Sequence, residues 1–182
     1  MTASEDESSS GWGTRMRSTS RTRAPTLVAH TLLSHVTDPG SVLAEAARVL
    51  RPGGVLAVFD GDYSSWTWAC SDPELARAME DALRTVIASK PRVLHDMPGF
   101  LRRAGLRLGA AQAHVYAEIG RGRYFLSLVD AYAPLVAQAE ILPQERVERW
   151  VAEQREAQEL GTFFAACNYY AYLARKEPVP IP

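Results

Sequence analysis

Asp60 and Asp62 stand two residues apart, directly after a run of five largely apolar residues, Val55, Leu56, Ala57, Val58 and Phe59. A carboxylate at the end of a buried strand could take a proton from a substrate hydroxyl or amine, provided it lies within hydrogen-bond reach. Asp also satisfies loop amides and favours turns, so both residues have a structural use of equal standing. Tyr63, Trp66 and Trp68 follow and would serve either as apolar walls of a pocket or as core. His30 and Thr31 close a second apolar run, residues 26–30, with Leu32 and His35 just beyond it. Imidazole can carry protons, cap a helix or simply pack, and for His35 packing is the commoner use. His95 and His114 have no ligand partners at useful spacing, and no metal site is expected.

Those residues need elements to hold them. Asp38 is a good helix N-cap and Pro39 suits the first helical position, where no backbone donor is required. Val42, Leu43, Ala46, Val49 and Leu50 recur at spacings of three and four, which predicts one apolar helical stripe. Pro52 stops that helix and Gly53-Gly54 supplies a tight reversal. Residues 55–59 then read as a strand covered on both faces by helices. Residues 26–30 read the same way, so the unit is strand, crossover helix, strand, and parallel. Downstream, Asp72-Pro73 opens a helix that Lys90-Pro91 ends. A short helix is expected over 97–104, a strand over 106–116, helices over 124–139 and 143–160, and an aromatic-rich strand over 163–174. Gly120-Arg121-Gly122 and Gly11-Trp12-Gly13 follow no convincing buried strand and read as flexible turns.

The helix from Asp38, the Leu50-Arg51-Pro52-Gly53-Gly54 turn and the preceding His30-Thr31-Leu32-Leu33-Ser34-His35 resemble a class I S-adenosylmethionine-dependent methyltransferase. The nearest likeness is to its ubiquinone/menaquinone-biosynthesis-like, type 11 branch. The resemblance implies an α/β fold: a Rossmann-like sheet, N-terminally truncated, with the fourth to seventh strands and their helices over residues 25–176. It implies methyl transfer to a small molecule with S-adenosylmethionine as cofactor. By position, His30, Thr31 and Leu32 would line the cofactor. From its own chemistry Asp60 is the candidate catalytic base, and His35, Asp62, Tyr63 and Trp66 are the candidate substrate pocket. The family's glycine-rich loop and its ribose-binding acid have no counterpart ahead of Pro25, which makes cofactor binding by this chain alone an open expectation. The strand at 26–30 would then be an exposed apolar edge, inviting a homodimer or a partner chain. The alternative function is therefore a non-catalytic half-domain that associates through that edge.

Composition fits one soluble domain. The 182 residues are 47% hydrophobic and 23% charged, with a formal net charge of −1, so no nucleic-acid partner or RNA-directed activity is expected. No apolar run approaches a membrane span, and Cys70 and Cys167 lie far apart, as in a cytoplasmic protein with reduced thiols. Residues 1–24, rich in Ser, Thr and Arg, bury too little apolar surface to order and are expected to be a disordered tail. Residues 177–182 form a second, short tail.

Overall fold

The computed structural model describes residues 24–177. Apart from Ala24 and Glu177, the two expected tails lie outside the described residues, as does Gly11-Trp12-Gly13. Strand β1 (Ala24–His30) leads through helix α1 (Pro39–Val49) to strand β2 (Leu50–Trp68). Helix α2 (Pro73–Ile87), a single 3-10 turn (Val93–Asp96) and helix α3 (Met97–Arg103) follow. Strand β3 (Leu106–Gly120), helices α4 (Tyr124–Gln138) and α5 (Gln144–Leu160), and strand β4 (Phe163–Lys176) complete the fold.

The four strands form one sheet in the order β1-β2-β4-β3. β1 and β2 are parallel, as a crossover helix between them requires, while β4 runs antiparallel to both β2 and β3. Local chemistry sets the helix ends. The Asp38 carboxylate accepts from the Ser41 amide at 3.0 Å, and Pro39 sits in the first turn. Lys176 from β4 donates to the carbonyls of Ala47 and Leu50, placing a cation on the carboxyl end of α1. In the turn into β2, Gly53 takes φ +77°, and a Cβ on Gly54 would sit 2.8 Å from the Arg51 carbonyl oxygen. Only glycine fits both places without strain.

Two separate cores result. One lies between α1, α3 and a face of the sheet, with Ala29, Leu33, Leu43, Leu56, Val58 and Leu101 buried together. The other joins α2, α4 and α5 to the far ends of β2 and β4, around Trp66, Trp68, Phe125, Trp150 and Phe163.

Three expectations change. The sheet is not covered on both faces: Val28 and Leu173, opposite the α1 side, are 70% and 48% exposed. No described helix lies over them. β2 does not end at Phe59 but continues to Trp68, because β4 pairs with Asp60, Gly61 and Asp62 through Tyr170, Tyr169 and Asn168. Those carboxylates therefore belong to the sheet rather than to a loop leaving it. β3 likewise runs past Tyr116 to Gly120, paired with β4 to Phe163. The expected edge character of β1 is what the strand order gives.

Candidate active site

Thr31 closes β1 with a φ of +47°. A β-branched residue in the left-handed region is an outlier, costing about 1–3 kcal/mol. Two contacts pin it there. Its amide donates to the Phe59 carbonyl at 2.8 Å, and its hydroxyl lies 3.0 Å from His30 Nδ1. The strain turns the chain out of the sheet at the carboxyl end of a parallel strand, the end where ligands bind in open α/β sheets.

The carboxylates sit behind this turn. Asp60 is fully buried and accepts three hydrogen bonds: from the Ser34 amide at 3.1 Å, the Ser34 hydroxyl at 2.9 Å and the Gly61 amide at 2.8 Å. A carboxylate so enclosed ties the β1–α1 loop to β2, and its geometry is that of a positioning residue rather than a base facing an acceptor. Asp62, also buried, accepts from the Ser64 amide at 3.1 Å and hydroxyl at 2.5 Å. Its second oxygen lies 2.8 Å from His95 Nε2, and Arg92 reaches His95 Nδ1 at 3.4 Å. Sequence spacing gave His95 no partner; the 3-10 turn at Val93–Asp96 brings it across 33 positions to Asp62.

His35 Nε2 lies 3.3 Å from the Tyr63 hydroxyl, and the two rings meet edge to face. Tyr63 is buried, and burial, reinforced by the charge of Asp60, pushes its phenol well above the usual tyrosine range. Trp66 is only 4% exposed and packs edge-on between Tyr63 and Trp68. It lines core, not pocket, because the continuation of β2 turns it toward α2, α4 and α5. Of the expected pocket residues, His35 and Tyr63 come together, Asp62 joins His95, and Trp66 stands apart in the core.

A trough of about 560 Å³ lies where the carboxyl end of β1 meets the middle of β2, lined by His30, Thr31, Phe59, Tyr116, Tyr124 and Tyr169, with His114 and Val115. Sheet register builds it: His30 is opposite Phe59, Gly61 opposite Tyr169, and Tyr169 opposite His114. Gly61 makes room, since a Cβ there would come within 3.3 Å of the Tyr169 ring. The rings of His30 and Phe59 stack at 5.2 Å, and those of Phe59 and Tyr169 at 5.5 Å. The Tyr124 and Tyr169 hydroxyls are 3.2 Å apart. Burial and Tyr124 drive the Tyr169 phenol far above the usual tyrosine range, so it stays protonated. Sequence reading missed Phe59, Tyr116, Tyr124 and Tyr169. The alternation of residues 163–174 was the available signal, but their partners depended on register.

Among the described residues no three His, Cys, Asp or Glu side chains converge to hold a metal ion. No described helix is long and apolar enough to cross a membrane.

Residues 25–58 match the methyltransferase-domain family. The chain is 30% identical over 149 residues to an uncharacterized 37.1 kDa protein in transposon TN4556 of Streptomyces fradiae, and spans 42% of that protein's length. The structure of a putative methyltransferase from Bacillus halodurans superposes with a TM-score of 0.52 at 15% identity, covering 86% of this chain and 71% of that one. The matched segment is β1, α1 and the first part of β2, the unit that ends in the strained Thr31 turn. Residues 25–58 are thus a segment similar to the methyltransferase domain, set in an α/β sheet with the fold of that Bacillus halodurans structure.

Proposed function

We propose that the chain serves S-adenosylmethionine-dependent methyl transfer to a small-molecule acceptor. The observation that carries this reading is the parallel β1–α1–β2 unit, family-matched over 25–58 and ending in the strained Thr31 beside the trough. His30, Thr31 and Leu32 stand at the strand end where the cofactor would pass. Asp60 and Ser34 hold that turn in place, and the His35–Tyr63 contact supports the loop from behind.

The described residues fit only part of the cofactor. His30 and Thr31 offer a ring and a hydroxyl, but Asp60 and Asp62, on β2 beside the carboxyl end of β1, are buried and present no exposed carboxylate for ribose hydroxyls. No chemical step is therefore assigned through the cofactor.

Exposed Val28 on edge strand β1 favours a second reading, association of this half-sheet with another chain or a second copy. Calorimetric titration with S-adenosylhomocysteine separates the two. Saturable binding, weakened at least tenfold by Thr31→Arg, supports the methyl-transfer reading. Absence of heat up to millimolar ligand would sink it for this chain and leave the association reading standing.

A further inference from the structure

We infer that the trough between the carboxyl end of β1 and the middle of β2 is a binding site for a small, uncharged, planar aromatic molecule. The inference deepens the methyl-transfer reading, because it names the acceptor class of that same site. Three observations carry it.

The first is the ring ladder. His30, Phe59 and Tyr169 come from three adjacent strands with interplanar angles of 24° and 12° between successive rings. A near-parallel series of that kind extends most favourably by one further flat ring in offset-stacked or edge contact. Tyr116 stands edge-on to Tyr169, at 86°, and bounds the series on the β3 side.

The second is charge. Among the described residues no Asp, Glu, Lys or Arg lines the trough, and the neighbouring Glu118 carboxylate is taken up by the Tyr116 hydroxyl and the Tyr124 and Phe125 amides. A ligand with a carboxylate, phosphate or ammonium would leave its charge without a countercharge in an apolar-walled space, which is unfavourable. The polar groups that do line it are the Tyr124–Tyr169 hydroxyl pair, the Tyr116 hydroxyl, which gives its hydrogen to Glu118, the Thr31 hydroxyl and two imidazoles. In the hydroxyl pair one oxygen donates to the other, which leaves the donor-side oxygen with lone pairs and the acceptor-side oxygen with its hydrogen. That set suits one hydroxyl or carbonyl on the rim of a ring.

The third is size. About 560 Å³ falls within the range of about 300–1,000 Å³ typical of small-molecule sites. Tyr124, 39% exposed, and Tyr116, 43% exposed, form the open side.

The test uses the full chain and 2-naphthol as probe, followed by its own fluorescence, with no S-adenosyl compound present. Decahydro-2-naphthol, which keeps the hydroxyl and loses the flat ring, and tetramethylammonium are the competitors. The expected result is saturable 2-naphthol binding that decahydro-2-naphthol displaces at least tenfold less well than 2-methoxynaphthalene, a flat competitor added for reference. Tetramethylammonium should not displace it. Phe59→Leu is expected to weaken binding by about three- to tenfold, the worth of one ring contact, while Phe59→Tyr retains it. His30→Leu, at an exposed position, repeats the measurement where the fold is not at risk. Equal displacement by the saturated alcohol, displacement by the ammonium ion, or unchanged binding in both leucine variants would overturn the site. Because no cofactor is involved, failure here leaves S-adenosylhomocysteine binding untouched, and failure of that binding leaves this result standing.

Discussion

Asp60 was the residue most suited by position to act as a base, and its surroundings give it another task. Ser34 supplies two of its three hydrogen bonds. Ser34→Ala removes the hydroxyl and leaves a buried carboxylate oxygen short of a partner, a change expected to cost about 1–3 kcal/mol. Urea denaturation checks this, and the loss should largely vanish in an Asp60→Asn, Ser34→Ala pair, where no buried charge remains. Cys167 offers a second test at this scale. Burial pushes its thiol up to about 12 from 9.0. The native state then holds its proton more tightly than the unfolded chain, so this contribution is complete below pH 9 and fades as pH rises toward 12. Stability by denaturant titration should fall across that window, and the thiol should resist a disulfide reagent at pH 8 until the protein unfolds. Thiol labelling that keeps pace with the partly exposed Cys70 would contradict it.

Individual elements were legible where local chemistry decides them. Asp38-Pro39 and Asp72-Pro73 announced α1 and α2, and the capping carboxylates accept from Ser41, Glu74 and Leu75 as their types predict. Residues 26–30 and 55–59 were recognisable as parallel strands from their apolar content and the helix between them, although the first is largely exposed. What stayed hidden was set by pairing at long range. Nothing near Asp60 or Asp62 says that β4, more than a hundred residues later, continues the ladder beside them. The aromatic trough needed that register, and the Asp62–His95 contact needed the 3-10 turn. Gly122 gives a prediction at this scale. A Cβ there would meet the buried Phe163 ring at 2.4 Å, so Gly122→Ala should destabilise by about 1–3 kcal/mol through overpacking. Thermal unfolding would show it, and Gly122→Ala combined with Phe163→Leu should recover part of the loss.

The sheet has its two cores on opposite faces, each covering one end, and two edge strands, β1 and β3. Among the described residues β1 pairs on one side only, and Val28 stands 70% exposed. Parallel strands are ordinarily enclosed, so this edge is the place where self-association should begin. Val28→Lys is expected to shift sedimentation at high concentration toward a single slow species while leaving the far-ultraviolet spectrum unchanged. An unchanged distribution of species would remove β1 as the sticking point.

The division into two cores has a spectroscopic consequence. Trp66, Trp68 and Trp150 all lie in the core formed with α2, α4 and α5, and none lies in the core under α1 and α3. With Trp12→Phe in the background, intrinsic emission would report on one half of the protein and be blind to the other. Their indole nitrogens are buried without hydrogen-bond partners, so native emission should lie well to the blue and move red as that core opens. Yet β2 and β4 pass through both cores, with a bulge in β2 between Asp62 and Thr67. Melting followed by emission and melting followed by backbone dichroism should therefore coincide, and two separated midpoints would mean that the long strands fail to make the halves cooperate.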